Sequence, residues 1–224
     1  FSKIGKFFKG KGGKLAIGAA AVGLLAAGGA WLYNKLTGKK EETVVDKDKD
    51  TTTTTNALPD YTFNAYYDVT SNSINILTGG TKVIKDINNK YENLGSIGFI
   101  IAHEISHAFD NNGSKFDENG LLSNWYTTSS QEKYQEIQNQ VIDYYNNYEI
   151  IHNVSNNGTR TIGENIADLG AMECITNILI KNNANKKDYQ TTYESFAKVW
   201  ANNYSKSTKV LQSLIDTHSP NEIR

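Results

Sequence analysis

The stretch HEISH at residues 103–107 follows an apolar run that begins at Ile97, and together they predict a buried helix. Residues four apart lie on one face of an α-helix, so the two imidazoles can reach a single ion. Glu104 stands beside the first histidine, where its carboxylate can reach a water molecule bound to that ion. The spacing therefore predicts a zinc site, with His103 and His107 as ligands and Glu104 as general base.

The alternative is a chance match, in which the two histidines form only a polar patch on the helix. Unpaired imidazoles would be costly in such an apolar helix. The chain has only four histidines, and two of them belong to this motif. Catalytic zinc generally takes three protein ligands and keeps one position open. The prediction therefore needs a third ligand from another segment.

The segment TIGENIAD at residues 161–168 supplies two acids, Glu164 and Asp168, four residues apart. Its apolar neighbours indicate a partly buried helix, and buried acids are unusual unless they are paired or bind metal. We expect Glu164 to be the third ligand and Asp168 to hold a ligating imidazole. The alternatives are two exposed acids, or Glu164 acting only as the capping-box partner of Thr161.

Composition limits the classes of protein to consider. The 224 residues suffice for one medium domain with appendages or for two very small domains. The net charge of −1 gives no reason to expect nucleic acid as a partner. The single cysteine, Cys174, excludes an internal disulfide.

The chain divides into a basic N-terminus with an apolar run (1–33), a polar linker (34–60) and a globular part (61–224). The run from Leu15 to Tyr33 carries no charge and is close to the roughly 20 residues of a transmembrane helix. A cleaved signal peptide is the alternative, but its apolar region would be only about 7–15 residues long. We therefore expect a membrane anchor, followed by a linker too polar to fold.

The orientation of this anchor follows from its flanking charges. Lysines precede the apolar run and acids follow soon after it. The positive-inside rule then predicts a single-pass type II protein, with its N-terminus in the cytoplasm and the globular part outside.

The globular part predicts an α+β fold that is mainly helical with a small β-ribbon. Residues 61–78 alternate and contain β-branched and aromatic residues, which indicates one or two strands. The predicted helices are Asn93–Asp110, Gln131–Tyr148, Thr161–Lys181, Tyr193–Tyr204 and Lys209–Thr217.

Several separated motifs resemble, in the same order, those of the neprilysin family of zinc metallopeptidases, which includes endothelin-converting enzymes and bacterial oligoendopeptidases. The resemblance runs from Asn64 to Arg224. The matching segments are NAYY at 64–67, HEISHAFD at 103–110, GENIAD at 163–168 and DTHSP at 216–220, with Arg224 after them. The resemblance implies zinc-dependent hydrolysis of peptide bonds.

The resemblance also implies roles within the metal site. It makes Glu164 the third zinc ligand, lets Asp168 orient His103, and makes Asp110 the partner of His107.

Further roles concern the substrate. The resemblance implies that His218 stabilises the oxyanion formed during hydrolysis and that Arg224 holds a substrate carbonyl. It also implies that Asn64 and Ala65 bind the peptide as an added strand.

Compared with that family, the chain is expected to lack the large helical lobe and the C-terminal tail, so size selection of substrates is not implied. It would be either a fragment or a reduced enzyme with an open cleft. One alternative is a catalytically impaired, membrane-tethered peptide-binding protein, against which the intact Glu104 argues. Another is a structural anchor protein with accidental motifs, which the number of independent matches disfavours.

Overall fold

The computed structural model describes residues 61–79 and 89–224. The predicted anchor at Leu15–Tyr33 and the predicted linker at 34–60 lie outside these residues. Within the described part of the chain, no helix combines the length and the apolar character needed to cross a membrane.

A two-stranded antiparallel ribbon opens the described part, which confirms the strand prediction for residues 61–78. Strand β1 is Ala65–Asp68 and strand β2 is Ser73–Ile76. Ala65 pairs with Ile76 at one end of the ribbon, and Asp68 pairs with Ser73 next to the turn. The Asp68 carboxylate accepts hydrogen bonds from Thr70 and Ser71 within that turn. These bonds stabilise the tight turn between the strands.

The predicted metal-binding helix is built from consecutive helical segments. They are α1 (Lys90–Asn93), a π-helical segment (Leu94–Gly98), α2 (Phe99–Ser106) and a 3₁₀ turn (His107–Phe109). The helix begins before the predicted Asn93 because the Asn89 side chain accepts a hydrogen bond from the Tyr91 amide and caps it.

The remaining elements follow in chain order. They are α3 (Thr128–Asn146), β3 (Glu149–Ile151), β4 (Val154–Ser155), α4 (Ile162–Lys181), α5 (Lys186–Val199) and α6 (Lys206–Ile215). Strands β3 and β4 form a second short antiparallel ribbon. The sequence pattern did not predict this ribbon, because strands this short show no alternation.

Three further predicted helix starts were wrong for identifiable reasons. Helix α3 begins at Thr128 and not at Gln131, because the Thr127 side chain caps it. Helix α5 begins at Lys186 and not at Tyr193, because Asn185 and Asp188 form a capping box ahead of a polar first turn. Helix α6 begins at Lys206 and not at Lys209, because the Ser205 hydroxyl caps it.

Helix α4 is the centre of the fold because it packs on two sides. One buried cluster joins it to α2 and α5, and its members are Phe99, Ala102, Ala171, Cys174, Ile175, Leu179 and Phe196. A second cluster joins it to α3, and its members are Val141, Tyr145, Ile162 and Ile166. Because α2 and α4 pack directly on each other, the two motif segments predicted to bind metal are brought face to face.

The last turns of α4 offer a matched pair of mutations that tests this core. Leu179 is fully buried, whereas the adjacent Ile180 is 56% exposed. Leu179→Ala should lower the free energy of unfolding by about 2–5 kcal/mol, because it opens a cavity in the first cluster. Ile180→Ala should change that free energy by no more than about 0.5 kcal/mol. Urea unfolding of both variants measures the difference, and equal values would contradict this description of the core.

Candidate metal centre

Helix α2 and the 3₁₀ turn that follows it present two imidazoles toward one point. The Nε2 atoms of His103 and His107 lie 3.0 Å apart. His103 is 5% exposed. Both histidines come after the apolar residues through which α2 packs against α4. Local helix geometry is enough to produce this pair.

Helix α4 adds a carboxylate to the pair. Oε2 of Glu164 lies 3.2 Å from Nε2 of His103 and 3.4 Å from Nε2 of His107. Two ligand atoms at about 2.0–2.1 Å from a tetrahedral zinc ion would be separated by about 3.3–3.4 Å. The three atoms therefore have nearly the spacing of three corners of a zinc coordination tetrahedron.

The Glu164 oxygen itself fits a bound cation. Oε2 is buried and has no hydrogen-bond donor among the described residues. A buried carboxylate oxygen without a donor is costly unless it is paired with a cation. The donor set of two imidazole nitrogens and one carboxylate oxygen is one that zinc uses in catalytic sites.

His218 brings a third imidazole to the same carboxylate. Its Nε2 lies 3.1 Å from Oε2 of Glu164, and ligand atoms of His103, Glu164 and His218 all lie within 4.8 Å of one another. The side chain of His218 is 41% exposed, whereas that of His103 is 6% exposed. The ligand atoms of His103, His107 and Glu164 have separations closer to those around a zinc ion. His218 is therefore assigned to the open side of the site.

The glutamate of the HEISH motif lies in the same place. Glu104 is 6% exposed and lines the same cavity as the three imidazoles. Burial raises the pKa of its carboxyl above the ordinary value, although the imidazoles of His103 and His107 act in the opposite direction. A raised pKa makes this carboxylate a stronger proton acceptor.

Charges within the site favour a cation between the groups. Burial alone would raise the pKa of Glu164, but the surrounding imidazoles hold it well below its ordinary value, so this carboxyl is ionised. Burial alone would lower the pKa of His107, but its hydrogen bond to Asp110 and the nearby negative charge of Glu164 raise it to about 10. Binding of a metal ion between these groups would therefore displace protons.

Each imidazole has a carboxylate behind it. Nδ1 of His107 lies 2.7 Å from Oδ2 of Asp110. Oδ1 of Asp110 also accepts the backbone amides of residues 112 and 113, each at 2.7 Å, which fixes its orientation. Nδ1 of His103 lies 2.9 Å from Oδ1 of Asp168, close enough for an ion pair but not aligned for a hydrogen bond. Asp216 stands behind His218 in the same way, at 2.8 Å.

Arg224, which the family resemblance assigns to a substrate carbonyl, is engaged within the protein. Its Nε and Nη2 donate to both oxygens of Asp168, at 2.7 and 2.9 Å. Its guanidinium lies 4.2 Å from the ring centre of Trp200, within cation–π distance. Both carboxylate oxygens of Asp168 therefore accept hydrogen bonds from Arg224. Burial alone would raise the pKa of Asp168, but Arg224 and His103 hold it below its ordinary value.

These groups open into a cavity of about 580 Å³. Strand β1 forms one wall, with the exposed Asn64 and the half-buried Ala65, and α6 with the segment that follows it forms the other. The edge of β1 that faces away from β2 pairs with no other strand in the described part of the chain.

Sequence reasoning assigned no role to Trp200 or to Asp216, although Asp216 belongs to a quoted motif. The capping-box alternative for Glu164 was wrong, because the Thr161 side chain caps no amide of α4 and instead donates to the Asn157 carbonyl.

Comparison with known proteins identifies relatives for most of the chain. The sequence model of peptidase family M13 matches residues 64–224. Neprilysin-3 of Drosophila melanogaster is 33% identical over 177 residues, which are 73% of this chain and 22% of that protein. A neutral endopeptidase of Lactococcus lactis is 34% identical over 171 residues, covering 75% of this chain and 26% of that protein.

A solved structure shares the fold. A zinc metalloprotease of Mycobacterium tuberculosis, crystallised with an inhibitor, superposes with a TM-score of 0.67 and 26% identity. The match covers 74% of this chain and 28% of that one. This chain thus spans about a quarter of the length of the relatives it matches, and it belongs to peptidase family M13, of which it contains the catalytic part.

Proposed function

We propose that residues 61–224 act as a zinc-dependent metalloendopeptidase. The observation that carries this proposal is the convergence of His103, His107 and Glu164, whose ligand atoms lie 3.0–3.4 Å apart around a buried carboxylate oxygen that lacks a donor. Membership of a peptidase family supports it. A zinc ion held by these three residues would supply a Lewis acid that lowers the pKa of water and polarises the peptide carbonyl.

Glu104 is the proposed general base. Its carboxylate accepts a proton from the attacking water and returns it to the amine that leaves. Burial supports this role, because it raises the pKa of the carboxyl toward the working pH. The proposed role of Asp110 and Asp168 is to hold the imidazoles of His107 and His103 in the orientation that directs Nε2 to the metal.

His218 is the proposed donor to the oxyanion. Its Nε2 reaches the site from the open side, and Asp216 fixes the ring from behind. A preorganised donor at this position stabilises the negative charge that develops on the carbonyl oxygen. Arg224 uses two nitrogens on Asp168, so binding of a substrate carbonyl would fall to its Nη1.

Strand β1 is the proposed docking edge for the peptide. Asn64 and Ala65 line the cavity together with the metal-site residues. Among the described strands, β1 pairs only with β2, so its other edge could accept an extended peptide. Main-chain hydrogen bonds to such an edge bind peptides with little dependence on their sequence.

Glu104→Gln tests the proposed base. This variant should bind zinc at wild-type stoichiometry but lose about 100- to 10,000-fold in kcat, because the amide has the same shape and cannot accept a proton. Zinc analysis and cleavage of a fluorogenic peptide measure the two properties. The exposed Glu132 on α3 gives the matched control, since Glu132→Gln should change neither.

Two results would refute this mechanism. Full activity of Glu104→Gln would remove Glu104 as the base. A wild-type chain that binds zinc and peptide but cleaves nothing would favour the alternative of a catalytically impaired peptide-binding protein.

The uncharged run near the N-terminus is the proposed membrane anchor. We propose that Leu15–Tyr33 spans the membrane and holds the zinc domain on the extracytoplasmic side. Protease added to intact cells should release the zinc domain and leave the apolar helix in the membrane fraction. A domain that is cut only after the cells are lysed would mean that the orientation is inverted.

A further inference from the structure

Four buried polar side chains adjoin the metal centre and take no part in the proposed chemistry. They are Asn156, Thr161, Asn165 and Ser219, all between 0% and 5% exposed. Two of them are the immediate neighbours of site residues, since Asn165 follows Glu164 and Ser219 follows His218. Buried polar groups without partners would be costly, so their hydrogen bonds decide what they do.

These side chains form one closed hydrogen-bond network. The Ser219 hydroxyl donates to Oδ1 of Asn165 at 2.7 Å. Nδ2 of Asn156 donates to Ser219 at 3.2 Å and to Thr161 at 3.3 Å. Nδ2 of Asn165 donates to Thr161 at 2.9 Å, and Thr161 donates to a backbone carbonyl. Each hydroxyl proton is used once, so the direction of the network is determined.

The network joins parts of the chain that are distant in sequence. Ser219 is 54 positions from Asn165 and 63 positions from Asn156. It therefore ties the segment that carries His218 to the first turn of α4, which carries Glu164, and to the end of the second ribbon. The separation of 3.1 Å between His218 and Glu164 depends on how these two segments are held together.

Two other contacts join this segment to Glu164, but neither is fully buried: Nε2 of His218 lies 3.1 Å from Oε2, and the exposed Thr217 hydroxyl donates to Oε1 at 3.4 Å. The ring and the backbone amide of His218 both bond to Asp216, which lies two positions away on the same segment and moves with it. The contacts of Asn221 with Trp200 and of Arg224 with Asp168 hold the end of the segment, beyond His218. The Ser219 hydroxyl, on the residue directly after His218, makes the buried hydrogen bond that joins this segment to α4.

We propose that this network positions His218 against Glu164, and that Ser219 and Asn165 are positioning residues of the site. The inference rests on the proposed role of His218. It assigns to the network the function of restricting the motion of that histidine. Removing the Ser219 hydroxyl leaves Oδ1 of Asn165 without its donor in a dry environment, which loosens the segment. The metal ligands themselves remain in place.

The test uses the zinc-loaded full chain and the variant Ser219→Ala. The NMR order parameter of the His218 amide should fall from about 0.85 toward 0.6, while zinc remains at one ion per chain. Because a donor that is poorly held stabilises the transition state less, kcat should fall by about tenfold with KM unchanged. In a His218→Ala background the same substitution should have no further effect on kcat, because both act through one imidazole.

Ser195→Ala is the matched control. Its buried hydroxyl also makes one strong bond, to the Glu92 carbonyl at 2.8 Å, but lies outside the site, so neither readout should move. If Ser219→Ala does not fold, Asn156→Ala weakens the same network from the other side and takes the same two measurements.

An unchanged His218 order parameter, or an equal loss of kcat with and without His218, would overturn the inference. A wild-type chain without zinc-dependent cleavage would instead refute the proposed function, and the order parameter would still decide the positioning role.

Discussion

The packing of α2 against α4 is the contact on which the site depends. It places an ionised carboxylate, that of Glu164, beside the imidazoles of His103 and His107, with the oxygen that faces them buried. Burying such a charge costs several kcal/mol unless other charges compensate it. The apolar clusters on both sides of α4 stabilise the arrangement. The imidazoles offset its cost, as would a cation bound between them. The stability of the core and the chemistry of the site therefore share the same two helices.

The groups behind the imidazoles extend this constraint outward. Asp110 is fixed by backbone amides, Asp168 by Arg224, and Arg224 in turn lies against Trp200. His103 and His107 consequently each have a carboxylate that is itself held in place, which directs the opposite ring nitrogen into the cavity. Hydrogen bonds thus fix the orientation of both the imidazoles and the carboxylates behind them. Such rigidity suits a site whose chemistry requires fixed distances between the reacting groups.

Much of the site could be predicted from the sequence, because its main features are local. The HEISH spacing is a property of one helix turn, and the acids at 164 and 168 stand out among apolar neighbours. The start of α5 was missed because its cap depends on Asn185 and Asp188 and not on apolar periodicity. The pairing of Arg224 with Asp168 joins positions 56 residues apart, and spacing along the chain cannot predict such contacts. The positions of His218 and Arg224 came only from the family resemblance.

The most direct measurement is the position of zinc in crystals of the full chain, found from anomalous scattering at the zinc absorption edge. The ion should lie at about 2.0–2.2 Å from Nε2 of His103, Nε2 of His107 and an oxygen of Glu164. His218 should approach the open position without binding the ion. A zinc ion bound by His218 in place of His107, or no zinc at this point, would contradict the proposed metal centre.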